Sequence, residues 1–321
     1  DTYGFNSFVV PVQGMGGGTF HSRTEPTLLG YAESAPEYAM AFANYHRTVQ
    51  EHLREKNWLD RGYVYWFDEP DPKDYEFVNN GFRKLKEAAP DIRRMLTEQP
   101  DAALVGPNIW CPISDAFDQA KADERMAQGD KFWWYVCTGP KAPYCTLFLD
   151  HPSLELRVWL WQTWQRKIGG ILVWQSNYWT SDAAYPDPNT PQDPYVDPMS
   201  WMSGYDTQAN TKKPWGNGDG RFIYPPESAS VRQGGPILEG PVDSIRWEML
   251  RDGVEDYEYL TILRRVLSEK EQAGKDVAQF KTLLDVPPAI TTSATEFTTD
   301  PAVIEAQRLA IARAIEAASK L

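Results

Sequence analysis

Apolar positions along this chain follow two rhythms. One is the 3-to-4 spacing of a helix laid on a core: Tyr38, Ala41, Phe42, Tyr45, Val49 and Leu53 within 37–57, then Tyr75, Val78, Phe82 and Leu85 before Pro90. The other is a short, almost unbroken apolar run with the look of a strand buried on both faces: YVYWF at 63–67, FWWYVC at 132–137 and ILVW at 171–174, with a short strand at 5–10 bounded by Pro11, a mixed run at 92–96 and a weaker extended candidate at 104–110. Helical spacing returns over 115–128 and 154–168, from Pro241 to about Ser268, and in an Ala-rich stretch over 302–320.

Apolar strands alternating with amphipathic helices predict an α/β fold with a parallel sheet, open or closed into a barrel. Polar and aromatic residues cluster just after several strand ends: Asp68 and Glu69, Asn108 with Trp110, Gly139, and the run Gln175, Ser176, Asn177, Tyr178 and Trp179. In a (β/α)8 TIM-type barrel that C-terminal rim carries the chemistry, and the clustering favours the barrel. About six strand candidates are two short of the eight a closed barrel needs; either the first two lie upstream of residue 1 or weak strands go unread. The expected division is a barrel domain over 1–270 and a C-terminal helical extension, packed on it, over 271–321.

Charge narrows the partners. A formal net charge of −13 argues against a phosphate backbone, which needs clustered Lys and Arg. No apolar run reaches the roughly 20 residues that cross a bilayer, and the N-terminal residues have no leader-like character. Cys111, Cys137 and Cys145 form no C-x-x-C pair and the four histidines are scattered, so neither a zinc site nor any cofactor is expected; one disulfide is allowed, not implied. The loop Gly14-Met15-Gly16-Gly17-Gly18 is no dinucleotide fingerprint, because Thr19 stands where the third glycine of G-x-G-x-x-G belongs. Residues 182–233 turn rich in Pro, Asp, Gly and Asn, the character of a long rim loop. Its Asp182, Asp187, Asp193 and Asp197 suit a calcium ion no better than they suit solvated turns. The 13 Trp and 16 Tyr fill a core and also offer rings that stack on the apolar faces of sugars.

Two phrases are more specific. Gly218-Asp219-Gly220-Arg221-Phe222-Ile223-Tyr224-Pro225, followed by the run from Gly240-Pro241-Val242-Asp243-Ser244-Ile245-Arg246-Trp247-Glu248 to Gly253-Val254-Glu255-Asp256-Tyr257, resembles the C-terminal signature of the DUF4091 domain. That domain includes the catalytic barrel of glycoside hydrolase family 123, known for β-N-acetylgalactosaminidases. The resemblance implies a glycan substrate, a β-sandwich domain upstream, an extracellular or periplasmic setting, and an adjacent Asp-Glu pair that maps onto Asp68 and Glu69. It assigns Glu69 as general acid/base and Asp68 as the group that assists the substrate's own 2-acetamido oxygen. Arg246, Glu248, Arg251 and Asp252 in the signature helix are expected to form an ion-pair network that anchors it.

Adjacency suits that chemistry. A retaining glycosidase with its own nucleophile needs carboxyl groups about 5–5.5 Å apart on either side of the sugar, and sequence neighbours are poorly placed for this. A substrate whose acetamido oxygen attacks C1 asks only for an acid and a polariser. Burial among rings such as Tyr65 and Trp66 is expected to raise the acid toward neutrality. The alternative for the pair is plain: Asp68 caps the following helix and Glu69 makes a surface ion pair. Trp110, Tyr135, Trp174, Gln175, Asn177, Tyr178 and His21 are the candidate substrate contacts. A hydrolase of a different glycoside on the same scaffold, and a non-catalytic carbohydrate-binding protein, stay open as readings of the whole.

Overall fold

The computed structural model describes residues 6–19, 21–179, 193–199, 216–227 and 239–321. The chain divides into two compact units, residues 1–134 and 135–321.

The first unit opens with five short strands, β1 (Phe8–Val9), β2 (Gly17–Thr19), β3 (Arg23–Thr24), β4 (Thr27–Leu28) and β5 (Tyr31–Ala32). Helix α1 (Pro36–Glu55) follows, then β6 (Gly62–Tyr65), β7 (Phe67–Asp68), α2 (Tyr75–Ala88), β8 (Arg93–Leu96), β9 (Ile109–Trp110), α3 (Gln119–Ala127) and β10 (Lys131–Tyr135). Five strands of the main sheet lie here in the order β1-β6-β8-β9-β10, and every neighbouring pair is parallel. Parallel neighbours need crossovers; α1, α2 and α3 provide those of β1–β6, β6–β8 and β9–β10, while residues 97–108 connect β8 to β9 without a helix. Helix α1 starts with Pro36 at its first turn, where a missing N–H costs nothing, and buries Tyr38, Phe42, His46, Gln50 and Leu53. Helix α2 buries Val78, Phe82 and Leu85, the stripe read from the sequence. Tyr38, Phe42 and Leu53 of α1 and Leu85 of α2 meet Val10, Val64 and Ile92 in one apolar core. His46 hydrogen-bonds the Phe42 carbonyl at 3.0 Å through Nδ1, and burial holds its pKa below the usual histidine range.

Two features depart from the sequence reading. The run 63–67 is not one strand: it breaks at Trp66, whose indole N–H donates to the Gly16 carbonyl at 3.2 Å while its ring stacks on Phe77. Phe67 and Asp68 therefore pair with β2, in a small sheet ordered β3-β2-β7, and leave β6 in the main one. Strands β2 to β5, each two or three residues long, carry no alternation by which to be foreseen. The fold is mixed α/β with a parallel sheet, and its described strands fall short of the eight of a closed ring.

The second unit contains α4 (Leu154–Gln165), β11 (Gly170–Leu172), a two-stranded antiparallel pair β12 (Ile223–Tyr224) and β13 (Val242–Asp243), α5 (Ile245–Gln272), the short α6 (Ala278–Lys281) and α7 (Pro301–Ser319). Ser244 caps α5 by accepting the Trp247 N–H, and Asp300 caps α7 by accepting that of Ala302. Helix α4 is buried on all sides from Leu154 to Thr163. It lies so close to α5 that a Cβ on Gly253 would stand 3.1 Å from the Arg157 Cα. Across that contact Arg157 donates to both oxygens of Asp256 at 2.6 and 3.1 Å, and Trp161 adds its indole N–H at 2.9 Å. Glu305 of α7 closes on the same guanidinium. Among the described residues no helix is long and apolar enough to cross a membrane, no group of three or more metal-ligating side chains occurs, and none of the three cysteines is in a disulfide.

Removing one partner of a buried ion pair strands the other. Asp256→Ala is therefore expected to cost about 3–5 kcal/mol in urea unfolding. Arg251, whose bonds to Glu248 and Glu255 are solvent-exposed, should be replaceable by Ala with no change in the urea midpoint.

Candidate active site

Asp68 is the last residue of β7, held in parallel register opposite Thr19. Its Oδ1 accepts two hydroxyl donors, Tyr65 at 2.5 Å and Thr97 at 3.1 Å. Oδ2 makes no hydrogen bond among the described residues. Burial, and then the charge of Asp68, push the Tyr65 phenol well above its usual range, so this hydroxyl stays protonated and donates. Glu69 follows with φ +45°, a left-handed conformation that costs a residue with a Cβ roughly 1–2 kcal/mol. Its N–H is anchored on Thr97 Oγ1 at 2.8 Å. Thr97, just beyond β8 and buried, thus donates to one carboxylate residue and accepts from the backbone of the next. Asp68 does not cap the next helix: the N-cap of α2 is Asp74.

Glu98, one residue on, is half-buried. Burial pushes its carboxyl above the usual range, the Gln99 N–H opposes that, and the charges of Glu69 and Asp101 add to it. His21 is exposed two residues past Thr19, with its N–H on the Thr19 hydroxyl at 3.1 Å. Trp110 is 1 % exposed; its indole N–H goes to Asp130 at 2.8 Å and Arg125 lies over its ring, so its surroundings are those of a core residue.

In the second unit Tyr135 is buried at the end of β10. Trp174, two residues past β11, is exposed, and it meets Tyr178 edge to face with ring centroids 5.1 Å apart. Gln175 donates its side-chain amide to Asn177 at 3.0 Å, and Asn177 forms a bridge with Arg221. These residues form a ring surface with amides at its margin. What holds it up is the signature turn 216–221. Gly220, at φ +76°, runs directly beneath: a Cβ there would come within 3.0 Å of both Trp174 and Tyr178, so only glycine serves. Its carbonyl accepts the Tyr178 N–H at 2.8 Å.

Asp219 is fully buried and takes the Trp174 indole N–H at 3.0 and 3.1 Å. Burial raises its pKa to about 7, against the lowering pull of the Trp174 and Gly220 N–H groups and the charges of Arg246 and Lys141. Arg246 corrects the expectation of an ion-pair anchor. It donates to the carbonyls of Leu147 at 2.6 Å, Gly218 at 2.9 Å and Arg221 at 2.5 Å, while Glu248 and Asp252 pair with Arg251. Of the four aspartates weighed for calcium, Asp182 and Asp187 lie outside the described residues; Asp193 and Asp197 accept N–H groups two residues on, from Tyr195 and Met199.

A family model described as glycoside hydrolase 123, catalytic domain, matches residues 21–263. The chain belongs to glycoside hydrolase family 123. Among solved structures, a family 123 glycoside hydrolase from Clostridium perfringens, described for the details of glycolipid glycan hydrolysis, aligns with a TM-score of 0.50 and 14% identity. The alignment covers 92% of this chain and 48% of that one, so this chain spans about half the length of that protein. No curated protein matches. The family 123 match takes in every candidate residue from His21 to the signature helix and stops within α5.

Sequence reasoning passed over two residues of this family 123 domain. Thr97 is an ordinary threonine in a polar stretch, marked only by its place just after a strand. Asp219 sits between two glycines like any turn aspartate, and its partner Trp174 is far away in sequence. Its folded carboxyl binds a proton more tightly than in the unfolded chain, where the ordinary value is 3.8. Its stabilising contribution is therefore complete below about pH 4 and is lost as the pH rises to about 7. Asp219→Asn should gain stability relative to the wild type across that window and hold a constant difference above it, measured by urea unfolding at a series of pH values.

Proposed function

We propose that the chain is the catalytic part of a retaining, substrate-assisted glycosidase acting on β-linked N-acetylgalactosamine or a related 2-acetamido sugar. The observation that carries this reading is the asymmetry of Asp68, with one oxygen taken by two hydroxyls and the other unengaged, beside a carboxylic acid turned out of the strand direction. A nucleophile-and-acid pair needs two carboxyl groups on opposite sides of a sugar; an acid and a polariser belong side by side. Glu69 protonates the departing glycosidic oxygen as the acetamido oxygen attacks C1. Asp68 accepts the acetamido N–H through its unengaged oxygen and offsets the positive charge of the oxazolinium-like intermediate. Glu69 then takes a proton from water, which opens the intermediate with retention at C1.

Trp174 and Tyr178, with Gln175 and Asn177, are read as a platform for a sugar ring, since the Trp174 ring is exposed and amides stand beside it. The parallel sheet is read as part of a (β/α)8 barrel, the architecture in which strand ends carry such residues. The glycan of a glycolipid, named for the Clostridium perfringens protein, is a substrate to try first.

Glu69→Gln is expected to lower turnover of glycosides with poor leaving groups by about 10²- to 10⁴-fold. With 4-nitrophenyl glycosides, cleavage of the N-acetyl sugar but not of its 2-hydroxy counterpart, blocked by a thiazoline analogue, supports acetamido assistance. Wild-type rates in Glu69→Gln, or equal cleavage of both sugars, would sink it.

A further inference from the structure

The hydroxyls around Asp68 do more than satisfy it. Thr97 has one proton to give and gives it to Asp68 Oδ1; its oxygen accepts the Glu69 N–H. Tyr65, three residues before Asp68, delivers a second donor to the same oxygen. Tyr65 and Thr97 are also within 3.5 Å of each other, so the three groups meet at one point. A carboxylate held by one oxygen in this way cannot rotate without breaking two bonds, and rotation is what would let a polariser lose aim. The Glu69 backbone, in a conformation it would not choose alone, is held by the same threonine.

We propose that Tyr65 and Thr97 are positioning residues that commit Oδ1 of Asp68 to the protein and aim Oδ2 at the acetamido N–H, with Thr97 also fixing the turn that presents Glu69. The inference rests on the roles given above to Asp68 and Glu69. Neither positioning residue touches the reacting atoms. Their contribution appears where the substrate's own nucleophile is aligned, which is the transition state and not the binding of the ground state.

In the full-length protein, Thr97→Val and Tyr65→Phe should each lower kcat on 4-nitrophenyl N-acetyl-β-galactosaminide by about 10- to 100-fold, with KM changed less than about threefold. Affinity for the thiazoline analogue should fall by the same factor, while the product N-acetylgalactosamine binds as before. Thr97→Ser, which keeps the hydroxyl, should restore both. Side chains that only support the fold would lower the melting temperature and the folded fraction and leave thiazoline affinity per folded molecule unchanged. That result, or wild-type kcat in both variants, overturns the proposal. Should Thr97→Val not fold, Tyr65→Phe decides alone, because it acts on the same oxygen. Asp68→Asn and Glu69→Gln run alongside separate the two readings. Loss in these with wild-type behaviour in the hydroxyl variants removes only the positioning pair. Wild-type rates in all four remove the functional reading and the inference together.

Discussion

A charge at the end of an aromatic strand has to be met by hydrogen bonds, and in this protein two hydroxyls meet it on one side only. Asp68 follows Tyr65, Trp66 and Phe67, rings that repel water from its base. The Tyr65 and Thr97 hydroxyls make that position tolerable, and in doing so they fix the rotation of the carboxylate. The break at Trp66 belongs to the same constraint. A strand continued straight through 63–67 would alternate its side chains across the sheet; the shift of Phe67 and Asp68 onto β2 brings Tyr65 and Asp68 to the same point.

In the second unit the corresponding work falls to arginines. Arg221 and Arg246 are buried and spend their N–H groups largely on main-chain carbonyls: Tyr178, Asp197 and Met199 for one, Leu147, Gly218 and Arg221 for the other. Burial lowers both guanidinium pKa values below the usual range, yet they remain far too basic to lose the proton. Six main-chain carbonyls of the described turns are thus satisfied through two side chains with rigid, forked donors. The exposed Trp174 ring stands on that scaffold.

Local rhythm made the long helices and the main strands legible, since each buries a face that its own spacing displays. Helix α2 packs through the stripe read from the sequence, and the signature helix runs from near its expected start. Adjacency of Asp68 and Glu69 was equally plain on the page. What was not legible depends on groups far apart in the chain. Arg246 has the spacing of a helical ion pair, but its acceptors come from loops 25 to 99 residues away. Asp219 takes the indole N–H of Trp174, 45 residues earlier. Thr97 matters only because two chain segments converge on it. Short strands such as β2 and β7 gain their identity from partners and not from their own two or three residues.

The packing of α4 bears on where this protein can be cut. The family resemblance ends at Leu263, inside α5, but α7 supplies Glu305 and Arg308 to the charges that α4 and α5 bury between them. A polypeptide trimmed to the matched region would lose residues 264–272 of α5 and all of α7, and leave the Arg157–Asp256 pair open to water along one side. The stretch that the family model recognises thus stops short of helices packed against it, and a boundary drawn from that match alone would cut through a buried charge cluster.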